Sequence, residues 1–389
     1  MMKQDFDYII VGLGGLGSAA LYWLSRRAHG SVLGLDQFEI GHVRGASQDH
    51  SRIIRLAYHT PAYVSLARQA YQSWDQLEKD AGEKFIITTG GLDFASKDSS
   101  IPISSYLQSL EICGISYELL DAAEIMRRWP PFRVSDDIHG LYQSDAGIVA
   151  ADKCNAAHVR LAQEYGAQLH AGSPVTQIRP MTGEIEVKAN GRIFRCRKLI
   201  ITAGAWSNSV LAHFGKRLPL TVTKEQVTYF RSPYLRDFQP DRFPVWVWLD
   251  EPCYYGFPVY GEQGIKAAQD VGGMETTAEG RTFAPDLAAL HRVQDFLRKY
   301  LPAALGPILY TKTCLYTLLP DRDFVIDSVP GFPDVFVAIG SGHSFKFASL
   351  IGKILSEMAT DGNTDCNIEP FKFSRPILQL DNPPKNFMI

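Results

Sequence analysis

The chain has 389 residues, a formal net charge of −3 and 21% charged residues. This is the composition of a globular protein with enough chain for about two domains. The near-neutral balance gives no electrostatic footprint for nucleic acid. No apolar run approaches the ~18–20 residues of a membrane span. We therefore expect neither a nucleic-acid nor a membrane partner.

The six cysteines are widely separated, with no C-x-x-C pair and no histidine cluster beside them. This spacing argues against a zinc site and against a disulfide framework. Asp5 and Asp7 precede the first apolar run, which is not the pattern of a signal peptide. We therefore predict a reduced, cytoplasmic protein without a bound metal.

The first motif joins a short apolar run to Gly12, Gly14 and Gly17, spaced G-x-G-x-x-G. Gly12 allows a tight turn, Gly14 lets a pyrophosphate approach the backbone, and Gly17 lets the following helix pack close to the sheet. A second apolar run ends at Asp36, where a carboxylate can accept hydrogen bonds from an adenosine ribose. The alternative is a glycine-rich turn of another α/β fold. The whole context favours a dinucleotide-binding unit.

Further along, Arg52 and Arg55 flank an apolar pair. Pro61 then opens an amphipathic helix of about 20 residues. Residues 86–95 predict a strand and turn, with a Gly-Gly hairpin signal at 90–91. These patterns place the two arginines just before the first long helix.

A buried strand over residues 199–203 ends in a turn at Gly204, where an α/β sheet usually meets its ligand. Residues 220–275 are β-rich and aromatic, and the last third returns to α/β. There, a strand over 335–339 runs into a glycine-containing loop and a helix of small residues. Helical patterns also cover 102–113, 121–128, 153–165 and 286–300.

Together these elements predict a mixed α/β and α+β fold. It combines a Rossmann-like dinucleotide-binding domain of the glutathione-reductase type with an antiparallel β-sheet substrate domain. The predicted cofactor domain is discontinuous, because β-rich segments interrupt it. We assign residues 1–85, 145–220 and 312–376 to the cofactor domain, 86–144 and 221–311 to the substrate domain, and 377–389 to a C-terminal tail.

Several motifs in this order resemble the monomeric sarcosine oxidase family of flavoenzymes, which includes N-methyltryptophan oxidase and the eukaryotic pipecolate oxidases. The resemblance covers about residues 5–376. The motifs that carry it beyond the glycine loop are Ser51-Arg52-Ile53-Ile54-Arg55, Ala203-Gly204-Ala205-Trp206, Tyr254-Tyr255-Gly256-Phe257-Pro258 with Lys266, Cys314-x-Tyr316-Thr317, Pro320-Asp321-x-x-Phe324, and Ser341-Gly342-His343-x-Phe345-Lys346-Phe347.

The resemblance implies an FAD-dependent oxidase, monomeric, that oxidises the C–N bond of an N-alkyl or cyclic secondary amino acid. A hydride passes to flavin N5, an imine forms, and O₂ is reduced to hydrogen peroxide. The resemblance also implies covalent attachment of the flavin to Cys314. Without the resemblance, a plain buried cysteine is the commoner interpretation.

Catalytic roles follow from the same resemblance. Lys266 matches a lysine that activates O₂, since a buried cation favours superoxide formation. Arg52 lies close to the flavin, where it stabilises negative charge. Tyr316 matches a residue of the substrate cavity. The alternatives are a strand-edge lysine, a solvated arginine and an aromatic residue of the core.

Arg55 and Lys346 match a pair that clamps the substrate carboxylate, a task suited to the fork of an arginine. Tyr255 matches a wall of the substrate cavity. Asp270 replaces the family's histidine, so we expect it to receive a positively charged or hydroxyl-bearing substrate side chain. The predicted cofactor-binding residues are Gly12, Gly14, Gly15, Gly17, Asp36, Ser51, Arg52, Val175, Gly204, Trp206, Cys314, Gly342, Phe345 and Lys346.

Two further departures lie near the expected flavin. Gln48-Asp49 stands where relatives commonly show His-Gly, and Ser344 replaces a glycine. They put flavin attachment and redox tuning in doubt more than flavin binding. Three alternatives stay open: a biosynthetic flavin desaturase of a heterocyclic or peptidyl amine, a non-catalytic flavin redox sensor, and a nicotinamide-dependent dehydrogenase.

Overall fold

A computed structural model describes residues 5–28 and 30–386. Residues 1–4 and 29 of the predicted cofactor domain and 387–389 of the predicted tail lie outside this part. The helices are α1 (Gly15–Arg27), α2 (Pro61–Ala81), α3 (Ile103–Ile112), α4 (Ala122–Arg128), α5 (Ala151–Glu164), α6 (Ser207–Leu211), α7 (Leu287–Tyr300) and α8 (Ala348–Asp361).

The strands follow in chain order. They are β1 (Asp5–Val11), β2 (Val32–Leu35), β3 (Ser51–Ile54), β4 (Ile86–Thr88), β5 (Gly91–Ser96), β6 (Glu118–Leu120), β7 (Ile138–Gln143), β8 (Gly147–Ala150), β9 (Gln168–His170), β10 (Val175–Met181), β11 (Glu184–Ala189), β12 (Arg192–Ile201), β13 (Thr221–Phe230), β14 (Val245–Trp248), β15 (Cys253–Phe257), β16 (Ile265–Asp270), β17 (Met274–Glu275), β18 (Ile308–Leu318), β19 (Val325–Val329) and β20 (Phe332–Ile339).

The first sheet is the predicted dinucleotide-binding sheet. Strands β9, β2, β1, β12 and β20 run parallel in this order, and β10 and β11 extend β12 antiparallel. β2 is buried along its whole length, because helices and neighbouring segments cover both faces of a parallel sheet. All the carboxyl ends of these parallel strands therefore meet at one edge, where a ligand binds in such folds.

Helices α1 and α8 pack closely on this sheet. A Cβ at Gly352 of α8 would lie 2.5 Å from the backbone carbon of Ala19 in α1. The small residues predicted for the last helix therefore let two helix backbones approach each other. Segments from opposite ends of the chain thus share one core.

The second sheet is mainly antiparallel and forms the other wall of the molecule. It has nine strands in the order β17-β13-β16-β15-β14-β5-β7-β6, and β18 pairs with β13 over almost its whole length. A small third sheet has the strand order β3-β8-β4. Its strands come from the chain segments that connect the first sheet to the second. The mixed fold expected from the sequence is confirmed. The domain boundaries stay a prediction, and the one at residue 312 falls inside β18.

The hairpin predicted at residues 90–91 is wrong. Strand β4 pairs with β8 in the small sheet, whereas β5 pairs with β7 and β14 in the large sheet. Gly90 adopts φ +72°, so the chain turns there, but it passes from one sheet to another. Local sequence specifies the turn, and long-range pairing decides which strands it joins.

Candidate active site

A cavity of about 670 Å³ lies between the two large sheets, within the range of small-molecule sites, about 300–1,000 Å³. At one end it is lined by the loop between β1 and α1. At the other end it is lined by β15, the end of β16, β18 and the loop before α8. It thus connects the glycine motif with the charged residues predicted for substrate binding.

The glycine loop is shaped by close backbone approaches. Gly12 adopts φ +92°, and a Cβ there would lie 2.6 Å from the carbonyl oxygen of Thr202. A Cβ at Gly17 would lie 1.8 Å from the carbonyl oxygen of Gly12. Gly14 precedes α1 and lines the cavity. The first turn of α1 also lines the cavity through Gly15 and Leu16, which places a helix N-terminus where a phosphate site requires one.

Asp36 lies at the end of β2 and is buried. Its Oδ2 accepts a hydrogen bond from the backbone N–H of Leu13 at 2.7 Å, and its Oδ1 accepts one from Phe38 at 2.9 Å. The carboxylate thus holds the glycine loop as well as facing the cavity. Val175, Gly204 and Trp206, which the sequence predicts to bind the cofactor, line the same cavity.

Two residues of this end escaped prediction from the sequence. Ser47 Oγ accepts a hydrogen bond from Gly15 N–H at 2.7 Å, and Asn155 Nδ2 donates to the carbonyl of Ser47 at 3.0 Å. Phe345 packs against Gly15, where an added Cβ would lie 2.9 Å from its ring. Neither Ser47 nor Asn155 belongs to a recognisable sequence motif. Each supports the glycine loop through a hydrogen bond to a residue that is distant in the sequence.

Arg52 projects from β3 and lines the cavity. Its guanidinium donates hydrogen bonds to the carbonyls of Ser51, Ala46 and Gln48 at 2.6–2.8 Å. It also lies 5.5 Å from the centre of the Phe345 ring. These contacts fix a positive charge on the cavity wall.

Cys314 is half-buried on β18, between two strand residues whose side chains point the same way, Lys312 and Tyr316. Both neighbours line the cavity, although Cys314 itself does not. Burial raises the pKa of the Cys314 thiol to about 11, and the positive charge of Arg52 opposes this rise. Arg52 is therefore close enough to Cys314 to influence its thiol electrostatically.

Lys266 lies behind the cavity wall rather than on it. Its Nζ donates hydrogen bonds to the carbonyl and hydroxyl oxygens of Ser51 at 2.9 and 3.2 Å. It also lies 2.7 Å from Asp49 Oδ2, an ion-pair distance without hydrogen-bond alignment. Burial lowers the pKa of Lys266 to about 8, and Asp49 opposes this change.

At the far end, two cavity residues are each matched by a buried residue of opposite charge. Arg55 Nη1 donates a hydrogen bond to Asp93 Oδ1. Asp270 accepts bonds on both carboxylate oxygens, at 3.1 and 2.9 Å, from Arg322 Nη2. Arg55 and Asp270 line the cavity, whereas Asp93 and Arg322 lie behind it. Sequence reasoning missed these two partners.

Lys346 has no ion-pair partner among residues 5–28 and 30–386. Its Nζ lies 5.6 Å from the centre of the Tyr58 ring, and burial lowers its pKa to about 7. Tyr255 and Tyr316 line the cavity nearby, and burial raises the pKa of both phenols well above the usual value. Both phenols therefore stay neutral at ordinary pH. Gly342 packs against Tyr316, where a Cβ would lie 2.6 Å from the ring.

The cavity fits a dinucleotide cofactor. At the glycine-loop end, neighbouring backbone lies too close to Gly12 and Gly17 to admit a Cβ. Asp36 follows the second strand and binds this loop. The sequence family of FAD-dependent oxidoreductases matches residues 7–358. The chain belongs to this family. The expected fold class, FAD dependence and enzyme class are confirmed, which leaves the nicotinamide alternative without support.

Curated relatives carry the likeness over nearly the whole chain. A monomeric sarcosine oxidase of Streptomyces avermitilis is 34% identical over 371 residues, covering 93% of this chain and 96% of the relative. An N-methyl-L-tryptophan oxidase of Escherichia coli is 31% identical over 379 residues, covering 96% of this chain and 100% of the relative. The family resemblance seen in the motifs is therefore confirmed.

Among solved structures, NikD is similar with a TM-score of 0.85 and 25% sequence identity, covering 95% of this chain and 98% of NikD. NikD is described as an unusual amino acid oxidase essential for nikkomycin biosynthesis. An L-proline dehydrogenase from P. horikoshii shares the fold, with a TM-score of 0.83 and 22% identity. No helix in the described part of the chain is long and apolar enough to cross a bilayer.

Proposed function

We propose that this chain oxidises the C–N bond of a secondary amine that carries a carboxylate, with FAD in the cavity and O₂ as the final acceptor. One observation carries the proposal. A single cavity joins the glycine loop to Lys346, the buried ammonium group without an ion-pair partner in the described residues. A substrate carboxylate supplies the charge that this site lacks.

When bound, FAD supplies the acceptor for the hydrogen and electrons that leave the carbon next to the amine nitrogen. Gly12, Gly14 and Gly15 would hold its pyrophosphate, and Asp36 its ribose. Lys346 binds the substrate carboxylate, while the neutral phenols of Tyr255 and Tyr316 exclude water. Arg52 keeps a positive charge on the wall between the two ends.

Arg55 contributes less to carboxylate binding than the sequence suggests. Its guanidinium already bonds to Asp93, so only part of its charge is available to a substrate. In the same way, the pairing of Asp270 with Arg322 leaves only part of the negative charge of Asp270 available to a substrate. We therefore propose that Asp270 accepts a hydrogen bond from a substrate hydroxyl or amine rather than binding a second full cation.

We further propose that Cys314 holds the flavin covalently. Burial raises the pKa of the Cys314 thiol, and the neighbouring positive charge of Arg52 limits this rise and so assists formation of the thiolate that such a bond requires. All six cysteines are free, which supports a reduced, cytoplasmic setting. The similarity to monomeric sarcosine oxidases supports a monomer.

The test begins with the absorption spectrum of the purified protein before and after acid precipitation. Yellow colour in the pellet supports attachment to Cys314, and Cys314→Ser should release it to the supernatant. Amines are then mixed with the holoenzyme without oxygen, and bleaching of the flavin is followed. Faster bleaching by an N-methyl amino acid than by its methyl ester is expected, because the ester removes the charge that Lys346 binds.

A second function is favoured by the similarity to NikD. In that case the chain desaturates a heterocyclic amine during biosynthesis, with the same cofactor and the same charged end. A bulky cyclic amine that bleaches the flavin faster than any N-methyl amino acid would support this second function. A protein that cannot be reconstituted with FAD would contradict both.

A further inference from the structure

Asp49 has an unusual backbone for its residue type. It adopts φ +86°, a region that non-glycine residues seldom occupy unless the surrounding structure forces them to. Its carboxylate is almost completely buried, with 4% side-chain exposure. A strained and buried acid beside a cavity indicates a role beyond the local turn.

The contacts of this carboxylate define that role. Oδ2 lies 2.7 Å from Lys266 Nζ, and Oδ1 lies 3.4 Å from Lys312 Nζ. Tyr229 donates its hydroxyl to Oδ1 at 2.9 Å. Burial alone would raise the pKa of Asp49, but Lys266 and Arg52 hold it well below its usual value. Asp49 is therefore ionised and balances a group of cations.

The order of these groups around the cavity matters. Asp49, Lys312 and Arg52 line the cavity, whereas Lys266 lies behind it. An anion entering the cavity thus meets the carboxylate of Asp49 in front of the ammonium of Lys266. In a weakly polar interior such a pair exerts far less attraction on an anion than a free ammonium does.

We propose that Asp49 neutralises Lys266 and thereby limits how strongly the flavin region of the cavity stabilises anions. The proposal rests on FAD occupying this cavity, as described above. When bound and reduced, FAD would supply the two electrons with which O₂ and two protons form hydrogen peroxide. The first electron makes superoxide, an anion, so its formation is the step that the Asp49 carboxylate slows.

The test uses holoenzyme with Asp49→Asn and Asp49→Gly. Asparagine and glycine both tolerate a positive φ, so both variants keep the turn. The matched control is Asp334→Asn, which removes a carboxylate paired with Lys198 outside the cavity lining. FAD content and melting temperature are measured for each protein.

The first readout is equilibrium binding of sulfite, an anion that adds to oxidised flavin and bleaches it. Removing Asp49 also removes the charge that opposes the lowering of the Lys266 pKa by burial, so both readouts are followed over a range of pH. At the acidic end of this range, where the Lys266 amine is protonated, we expect both Asp49 variants to bind sulfite at least about tenfold more tightly than the wild type, equivalent to about 1.4 kcal/mol. The second readout is the rate at which O₂ reoxidises the photoreduced enzyme, without any amine present. We expect this rate to rise in both variants and to be unchanged in Asp334→Asn.

Adding Lys266→Met to Asp49→Asn should abolish both effects, because no free ammonium then remains behind the wall. Unchanged sulfite affinity and reoxidation rate in flavin-loaded Asp49 variants would overturn the proposal. Effects that persist in the double variant would overturn it as well. Neither measurement needs a substrate, so a protein that holds FAD but oxidises no amine refutes the proposed function and still decides this inference.

Discussion

The two ends of the cavity are built by different means. The glycine-loop end uses backbone geometry set within the first 36 residues, and Ser47, Asn155, Thr202 and Phe345 support it from elsewhere in the chain. The charged end uses side-chain pairs from distant segments, 38 residues apart for Arg55 with Asp93 and 52 for Asp270 with Arg322. In the proposed function, the first end binds a shape common to many dinucleotides, whereas the second presents a charge pattern to one class of substrate.

The charged end is nearly balanced. Each paired residue at the wall has a partner of opposite charge behind it, so within the part of the chain that the structure describes the charge left without an ion-pair partner at this end is that of Lys346. A chamber of this kind selects a ligand with one negative group and penalises ligands with two. The glycine-loop end offers no such selectivity, because backbone N–H groups donate hydrogen bonds to any phosphate.

The largest effect is expected at the backbone end. Gly17→Ala should prevent both stable folding and FAD binding, because the new Cβ would lie 1.8 Å from Gly12 O. The loss of unfolding free energy should exceed the about 1–3 kcal/mol typical of overpacking. Denaturant titration and flavin content measure it. Gly45→Ala is the control, since its Cβ would meet nothing closer than 3.7 Å. A Gly17→Ala holoenzyme of normal stability would show that the close approach is not required.

The next effect concerns the charged end. Asp93→Asn removes the charge that balances Arg55, and breaking a buried pair costs about 3–5 kcal/mol of stability. The freed guanidinium should also bind small carboxylates, so acetate should inhibit the variant more strongly than the wild type and raise its melting temperature. Asp75→Asn, which breaks an exposed pair with Lys79, should do neither. Equal acetate inhibition of wild type and Asp93→Asn would argue against this account.

The smallest effect is a pH dependence. Burial lowers the pKa of Lys346 to about 7, so its ammonium is present below that pH and is lost as pH rises through it. The inhibition constant of a simple carboxylate should therefore rise by up to about tenfold per pH unit above 7. Lys346→Arg should keep tight binding to higher pH, because arginine stays protonated. A flat profile in the wild type would count against Lys346 as the anion site.

Sequence predictability differs between the same two ends. The glycine loop follows from local rules, since strand, glycine spacing and helix lie in one continuous segment. Arg52, Arg55, Tyr255, Tyr316 and Lys346 all reach the cavity, although their roles stay predictions. The sequence did not indicate a role for Asp93. An acidic residue within an apolar strand can be recognised as an ion-pair partner only when the position of its cation is known. Gly17, Ser51, Lys266 and Cys314 lie beside or behind the cavity lining.

Asp49 shows the limit most clearly. The sequence marks it as a departure from the family, yet its significance depends on Lys266, more than 200 residues away, and on a backbone angle that sequence does not reveal. Arg322 is similar, because a loop arginine is ordinarily solvated. Whether a charged side chain is buried depends on the tertiary structure, so its ion-pair partner can be identified only from the three-dimensional structure.

The central position of β1 has a consequence for biosynthesis. This strand lies between β2 and β12, and α1 packs against α8, so the β1–α1 segment obtains its last neighbours from residues that are synthesised much later. Until then its apolar residues stay open to water and to other chains. Such long-range closure slows folding, and the growing polypeptide needs protection from aggregation until its final helix is made.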